Sequence, residues 1–144
     1  MGAIVVKNMR EVMAGLKTYE QKVEKAAEYG IQRAALAIER QAKLNANTGT
    51  HARGEGHIKG TGPGPNVVTG TLRRSITTEI RYGFGTYIAV VGPTVEYARS
   101  VELGNPRWKS GVRYPYLYPA VGYLVGSGQL NRIFTSGFVS ALKG

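Results

Sequence analysis

The residues that could support catalysis are few and widely separated. The two histidines, His51 and His57, are six positions apart, which is not the i, i+4 spacing of a helical metal-binding pair. Glu55 lies between them and could complete a metal site, although a solvated loop is the simpler interpretation of histidines in a glycine-rich segment. We therefore expect no metal at this position.

Other patterns associated with catalysis are incomplete. Residues 60–64 (GTGPG) resemble a phosphate-binding loop, but they lack the Gly-Lys-Ser/Thr ending and no strand precedes them. Glu96 and Glu102 are six residues apart, which places them on different faces of a helix, so Glu102 is expected to form an ion pair. The serines have no neighbouring histidine for nucleophilic catalysis; they include Ser75, Ser100 and Ser110. The sequence therefore predicts neither an enzyme nor a bound cofactor.

Composition indicates one domain over residues 1–144 with a strongly basic surface. The chain has 20 glycines, no cysteine and a net charge of +10, and all nine acidic residues are glutamates. No apolar stretch approaches the ~18 residues of a membrane span, so we expect no membrane association. A positive field of this kind attracts polyanions. Nucleic acid, acidic protein surfaces and a merely soluble basic surface all fit the charge alone.

The N-terminal third has the pattern of one long amphipathic helix over residues 9–44. Apolar residues recur at steps of three and four along a single face; they include Met9, Val12, Met13, Leu16, Tyr19, Val23, Ala27, Ile31, Ala34, Ile38 and Ala42. Gly30 is the one weak position and predicts a bend. Such a helix is roughly 54 Å long, whereas a globule of this chain length has a diameter under ~40 Å. The helix should therefore extend beyond its own domain, and its apolar stripe should need a partner.

The rest of the chain predicts a small antiparallel sheet and further helices. Residues 45–66 read as a long flexible loop, because glycine, threonine, asparagine and proline dominate there. A short turn or helix at 69–76 precedes strands at 76–82 and 86–91, joined by a Gly-Phe-Gly turn into a hairpin. A short helix at 94–103, ending at Gly104, follows. The predicted fold class is α+β, with the long helix packed on the sheet.

The C-terminal part contains an unusual cluster of aromatic residues. Residues 112–119 (VRYPYLYP) predict a short edge strand, in which alternation would place Tyr114, Tyr116 and Tyr118 on one side. Residues 119–142 predict a final helix, although it is rich in glycine. Tyrosine and tryptophan are enriched at protein interfaces. Candidate interface residues are Tyr97, Glu102, Trp108, Tyr114, Tyr116 and Tyr118.

Three short motifs in this part of the chain carry a family resemblance. They are Thr69-Gly70-x-Leu72-x-x-Ser75-Ile76, Tyr97-Ala98-x-x-Val101-Glu102-x-Gly104 and Tyr114-Pro115-Tyr116-Leu117-x-Pro119-Ala120. In this order, after a long alanine-rich helix, they resemble the tail-completion, or head–tail joining, proteins of the neck of long-tailed bacteriophages. The chain departs from the pattern in its long 45–66 loop, its glycine-rich last helix and the Trp-bearing, basic segment 105–111.

The resemblance implies a virion protein without catalytic activity, assembled in the host cytoplasm. It implies a homo-oligomeric ring of six or twelve copies between the portal-side connector of the head and the tail tube, with double-stranded DNA passing through the lumen. Loop residues expected to contact neighbouring subunits are His51, Arg53, His57 and Lys59. Basic residues expected to face DNA or to pair with acidic neighbours are Arg73, Arg74, Arg81, Arg99, Arg107, Lys109 and Arg113.

Two alternatives belong to other functional classes. A free-standing, non-specific nucleic-acid-binding protein would explain the charge of +10 but not the apolar stripe or the YPYLYPA segment, and the chain has no helix-turn-helix, zinc-knuckle or RNP pattern. A metal-dependent nuclease using Glu and His ranks third. In the ring interpretation, DNA binding should be weak, non-specific and sensitive to salt.

Overall fold

The computed structural model describes residues 9–47, 65, 70–107 and 113–144. Most of the predicted loop at 45–66 lies outside these residues, as do Trp108 and Lys109. The elements are α1 (Met9–Asn45), α2 (Thr71–Ser75), β1 (Ile76–Gly83), β2 (Thr86–Pro93), α3 (Ala98–Leu103), α4 (Leu117–Gly126) and α5 (Gln129–Lys143). The predicted α+β class, with a long N-terminal helix beside an antiparallel sheet, is confirmed.

Helix α1 is the element on which the others pack. It is continuous over 37 residues, about 56 Å at 1.5 Å per residue, and α4, α5 and both strands contact it. Its first buried residue is Ala26, and every residue from 9 to 22 is exposed. We call residues 9–22 the α1 overhang. The predicted extension of this helix beyond its own domain is therefore present.

The hairpin forms a two-stranded antiparallel sheet along α1. Ile76 pairs with Pro93 and Gly83 with Thr86, so the strands match over their whole length. Ile76 is buried and Ile80 half-buried on the face toward α1, while Glu79 and Arg81 alternate with them on the exposed face. This is the alternation expected of a strand with one covered face.

Glu39 connects α1 to the hairpin. Its Oε2 accepts a hydrogen bond from Thr78 Oγ1 at 2.6 Å, and its Oε1 accepts one from Lys43 Nζ at 2.5 Å. Burial raises the pKa of Glu39, but the hydrogen bonds from Lys43 and Thr78 outweigh it and hold the pKa below its usual 4.5. A half-buried carboxylate thus fixes the position of β1 along the long helix.

Gly30 lies where α1 crosses α5, and this contact explains a glycine that the sequence pattern treats as a weak position. A Cβ at Gly30 would lie 3.0 Å from ring carbons and from the carbonyl oxygen of Phe134. The facing glycine, Gly137, is buried, and a Cβ there would lie 3.3 Å from the Gly30 Cα. Two glycines therefore let the helix backbones approach closely.

Two predictions for the C-terminal part are wrong. Residues 113–116 form no strand, and α4 begins at Leu117, within the predicted edge strand. The predicted last helix is two helices, because Ser127 and Gly128 form a turn in which Gly128 has φ +72°. No helix in the described part of the chain is both long and apolar enough to cross a membrane.

The crossing of α1 and α5 gives a test of the packing. Gly30→Ala should lower the free energy of unfolding by about 1–3 kcal/mol, because the added methyl group overlaps the backbone of α5. Gly15→Ala is the matched control in the same helix, since nothing lies within 4 Å of a Cβ there, and it should raise stability by up to about 1 kcal/mol. Urea unfolding measures both. Equal stabilisation by the two substitutions would contradict the close crossing.

Candidate interaction surfaces

The three sequence motifs, far apart in the chain, meet in one hydrophobic core at the C-terminal end of α1. Ala42 and Ala46 from α1 and the turn after it, Ile76 from β1, and Tyr116 and Ala120 from the last motif form a buried cluster. One or more residues of each motif pack around it; these half-buried neighbours are Leu72, Val91, Val101 and Leu117. The motifs therefore encode a single packing unit that holds α4 against α1.

Glu102 fixes the start of α4. Its carboxylate accepts three backbone hydrogen bonds, from the N–H groups of Tyr116 at 2.8 Å, Leu117 at 3.0 Å and Tyr118 at 2.8 Å. Within the part of the chain that the structure describes, the Glu102 carboxylate serves as a helix cap rather than forming the expected ion pair. A negative charge at this end also interacts favourably with the helix dipole.

Pro119 completes the cap. A helix leaves its first four N–H groups without intrahelical partners, which here are those of residues 116–119. Glu102 binds three of them, and the fourth position is a proline, which has no N–H. The start of α4 therefore has no unsatisfied backbone donor, and this is why the YPYLYP segment begins a helix although its alternation is typical of a strand.

Tyr116 belongs to the core of the subunit. Its side chain is 1% exposed, and its carbonyl oxygen accepts a hydrogen bond from Asn45 Nδ2 at 3.0 Å, which ties α4 to the last residue of α1. Burial, with the charge of Glu102 and neighbouring Tyr97, raises the pKa of Tyr116 to about 12. The hydroxyl is thus neutral at ordinary pH, and the predicted placement of this ring on a surface beside Tyr114 and Tyr118 is wrong.

Gly104 ends α3, as the sequence predicts, in an unusual backbone conformation. Its φ is +88° and its ψ is 165°. That combination is available essentially to glycine alone. The glycine turns the chain directly after Glu102, so the spacing Glu-x-Gly in the motif has a backbone reason.

Helix α4 presents an apolar outer face. Tyr118, Val121 and Val125 follow one another at i, i+3 and i+7 and are all exposed, while Ala120 and Leu124 on the inner face are buried. No residue of α4 is charged. We call Tyr118, Val121 and Val125 the outer face of α4.

The α1 overhang carries a second exposed apolar surface. Its apolar side chains are between 44% and 60% exposed; they are Met9, Val12, Met13, Leu16 and Tyr19. We call these five apolar residues of the overhang the overhang stripe. At 100° per residue, Val12, Leu16 and Tyr19 lie within about 40° of the direction of Gly30, which is the side of α1 that α5 covers. The stripe therefore continues the buried side of α1 into a part of the helix that no other described element covers.

The hairpin ends in an exposed aromatic residue held in an unusual conformation. Phe84 has φ +53° and is fully exposed, beside Gly85 at φ +72°. Two-residue hairpin loops favour positive φ at both positions, usually with Asn-Gly or Gly-Gly, and a bulky residue there is rare. Tyr82 and Tyr87 pair across the strands just before this turn, and their ring centroids lie 4.6 Å apart. This tip is a further exposed apolar feature, at a position where the sequence pattern predicts only a turn.

The predicted basic residues are spread over several surfaces. Arg73, Arg74, Arg99, Arg107 and Arg113 are exposed. Arg81 instead pairs with Glu79 across 2.9 Å on the outer face of β1, and that contact raises the pKa of Arg81. The described residues contain no group of three or more side chains able to hold a metal ion.

The predicted interface residues have different environments. Tyr97 is 49% and Tyr118 79% exposed, and Tyr114 is half-buried, with its N–H donating to the Val101 carbonyl at 2.8 Å. Contacts of these tyrosines with another subunit remain a prediction. The remaining candidates lie outside the described residues; they are Trp108, Lys109, His51, Arg53, His57 and Lys59.

Comparison with protein families identifies one match. The model of the HK97-gp10-like family, described as "Bacteriophage HK97-gp10, putative tail-component", matches residues 10–104, which is more than half of the chain. The matched range runs through nearly all of α1, the hairpin and α3, and it ends at Gly104. No curated protein is significantly similar to this chain, and no solved structure is either.

The helix cap formed by Glu102 can be tested by a nearly isosteric change. Glu102→Gln should lower the free energy of unfolding by about 1–3 kcal/mol, because the amide has one acceptor oxygen and no charge for three N–H donors. The exposed Glu96→Gln, six residues earlier, is the control and should change stability little. Thermal unfolding followed by circular dichroism compares them. Identical melting curves for the two variants would rule out the cap as a major contributor.

Proposed function

This chain belongs to the HK97-gp10-like family of bacteriophage tail components, and we propose that it is the structural subunit of a neck ring that joins the head connector to the tail tube. Six or twelve copies would close the ring, and double-stranded DNA would pass through its lumen during ejection. The protein contributes geometry rather than catalysis in this role. It would be assembled in the host cytoplasm and remain in the virion.

The overhang stripe is the observation that carries this proposal. An exposed, contiguous apolar patch on a monomer marks an interaction site, and here it occupies the first 14 residues of the longest helix. Burying five large apolar side chains would stabilise an assembly by several kcal/mol, at roughly 1.5–3 kcal/mol for each fully buried side chain. A free-standing subunit has no use for such a surface.

The exposed arginines support a weak interaction with DNA. A net charge of +10 multiplied around a ring gives a strongly positive assembly, which attracts phosphates at long range. Each phosphate contact adds a salt-dependent contribution to the affinity for DNA. A channel through which DNA moves requires a low affinity. Arginines on several surfaces, including Arg73, Arg99 and Arg113, fit weak and non-specific contacts better than one recognition surface.

A non-specific nucleic-acid-binding protein is the second candidate, favoured by the same arginines. It leaves the overhang stripe and the uncharged outer face of α4 without a role. It also gives no reason for the match to a tail-component family. The two candidates differ in what the purified protein does in solution.

The test is the mass of the purified protein, measured by light scattering with and without the tail tube protein, at low and moderate salt. We expect a ring, either alone or induced by the tube protein, and DNA binding that disappears as salt rises. A monomer that ignores the tube protein and binds DNA tightly at physiological salt would overturn the neck proposal and favour the second candidate.

A further inference from the structure

The overhang stripe has the spacing of a helix-to-helix contact. Met9, Val12, Leu16 and Tyr19 are separated by three, four and three residues, and Val23, Ala26 and Gly30 continue the same alternation into the part of α1 that α5 covers. A repeat of this kind places one narrow apolar edge along a neighbouring helix. The natural partner of the stripe is therefore another helix with an exposed apolar face.

The outer face of α4 has the matching spacing. Tyr118, Val121 and Val125 are separated by three and four residues, so they also form one apolar edge. Gly122 lies between them, with nothing within 4 Å of the position of a Cβ, which leaves a recess for an incoming side chain. Among the described helices, α4 is the only one without a charged residue.

The two surfaces cannot meet within one subunit. The inner face of α4 is fixed by Ala120 against Ala42, at the C-terminal end of α1. Thirty residues of continuous helix separate Ala42 from Val12, a distance of about 45 Å, whereas the ten residues of α4 span about 15 Å. The stripe and the outer face of α4 can therefore make contact only between two copies of the chain.

Charge also selects these surfaces for self-association. Copies that each carry a net charge of +10 repel one another, so their contact should avoid placing basic groups together. The uncharged α4 satisfies this condition. In the overhang, the basic residues Arg10, Lys17 and Lys22 lie outside the stripe, roughly 100–125° around the helix from its middle by the helical repeat of 3.6 residues.

We infer that the α1 overhang of one copy docks by its stripe onto the outer face of α4 of the next copy. This inference rests on the proposed ring and specifies which surfaces close it. Because the two surfaces differ, the contact is head-to-tail, and repetition of a head-to-tail contact closes into a ring when the rotation permits. The arrangement leaves the arginines outside the contact.

Cysteine cross-linking tests the contact directly, because the chain contains no cysteine. The variant carrying both Leu16→Cys and Val121→Cys is assembled under the conditions that give rings and treated with a short bifunctional maleimide, since packed helices lie ~8–10 Å apart. We expect a ladder of covalent multimers. An equal mixture of the two single variants should give covalent dimers only. Each copy then carries one cysteine and can form a single cross-link.

Lys17→Cys combined with Val121→Cys is the matched control, because position 17 lies outside the stripe, about 100° around the helix from Leu16, and it should give at least tenfold less ladder. Circular dichroism confirms that each variant is folded.

Dimers of Leu16→Cys alone would indicate a symmetric contact between two stripes and overturn the inference. Cross-links to the tail tube protein, or none between copies within intact rings, would also overturn it but leave the neck proposal standing. Absence of rings in the parent protein would instead defeat the neck proposal itself.

Discussion

The length of α1 is the constraint on which the rest of the structure depends. A continuous helix of 37 residues is about 56 Å long, and the hairpin, α4 and α5 cover it only from about Val23 onward. The helix keeps its apolar spacing through the uncovered part as well. Exposed large apolar side chains lower the solubility of a free subunit. A helix of this kind is therefore expected to be covered by a partner in an assembly.

Glu102 connects the fold to the surface that the assembly would use. By accepting the N–H groups of residues 116–118, it decides where α4 begins and which side chains turn inward. Tyr116 then fills the core and Tyr118 points to solvent. One carboxylate thus links the second motif to the third and, through the direction of α4, determines its uncharged outer face. The motifs are structural, which agrees with membership of a tail-component family.

Local patterns predicted the elements that depend on local information. The three- and four-residue steps from Met9 onward predicted α1 within one residue, and the alternation around Gly83-Phe84-Gly85 predicted the hairpin. The start of α4 depends on Glu102, 14 residues away from Tyr116, so spacing within YPYLYP could not reveal it. The role of Gly30 could not be predicted from local spacing either, because glycine is required there by the close approach of Phe134 on α5. The outer face of α4 could not be predicted from the sequence either, because Tyr118, Val121 and Val125 share a face only when the helix begins at Leu117.

In the proposed ring, the α1 overhang is uncovered in the free subunit and covered by another copy after assembly. Hydrogen exchange of the backbone amides measures this directly in the two states. In the free protein, amides of residues 9–22 should exchange much faster than those around Ala35 and Ala42, and in the ring they should become protected to a similar degree. Protection that is unchanged between free subunit and ring would contradict the account.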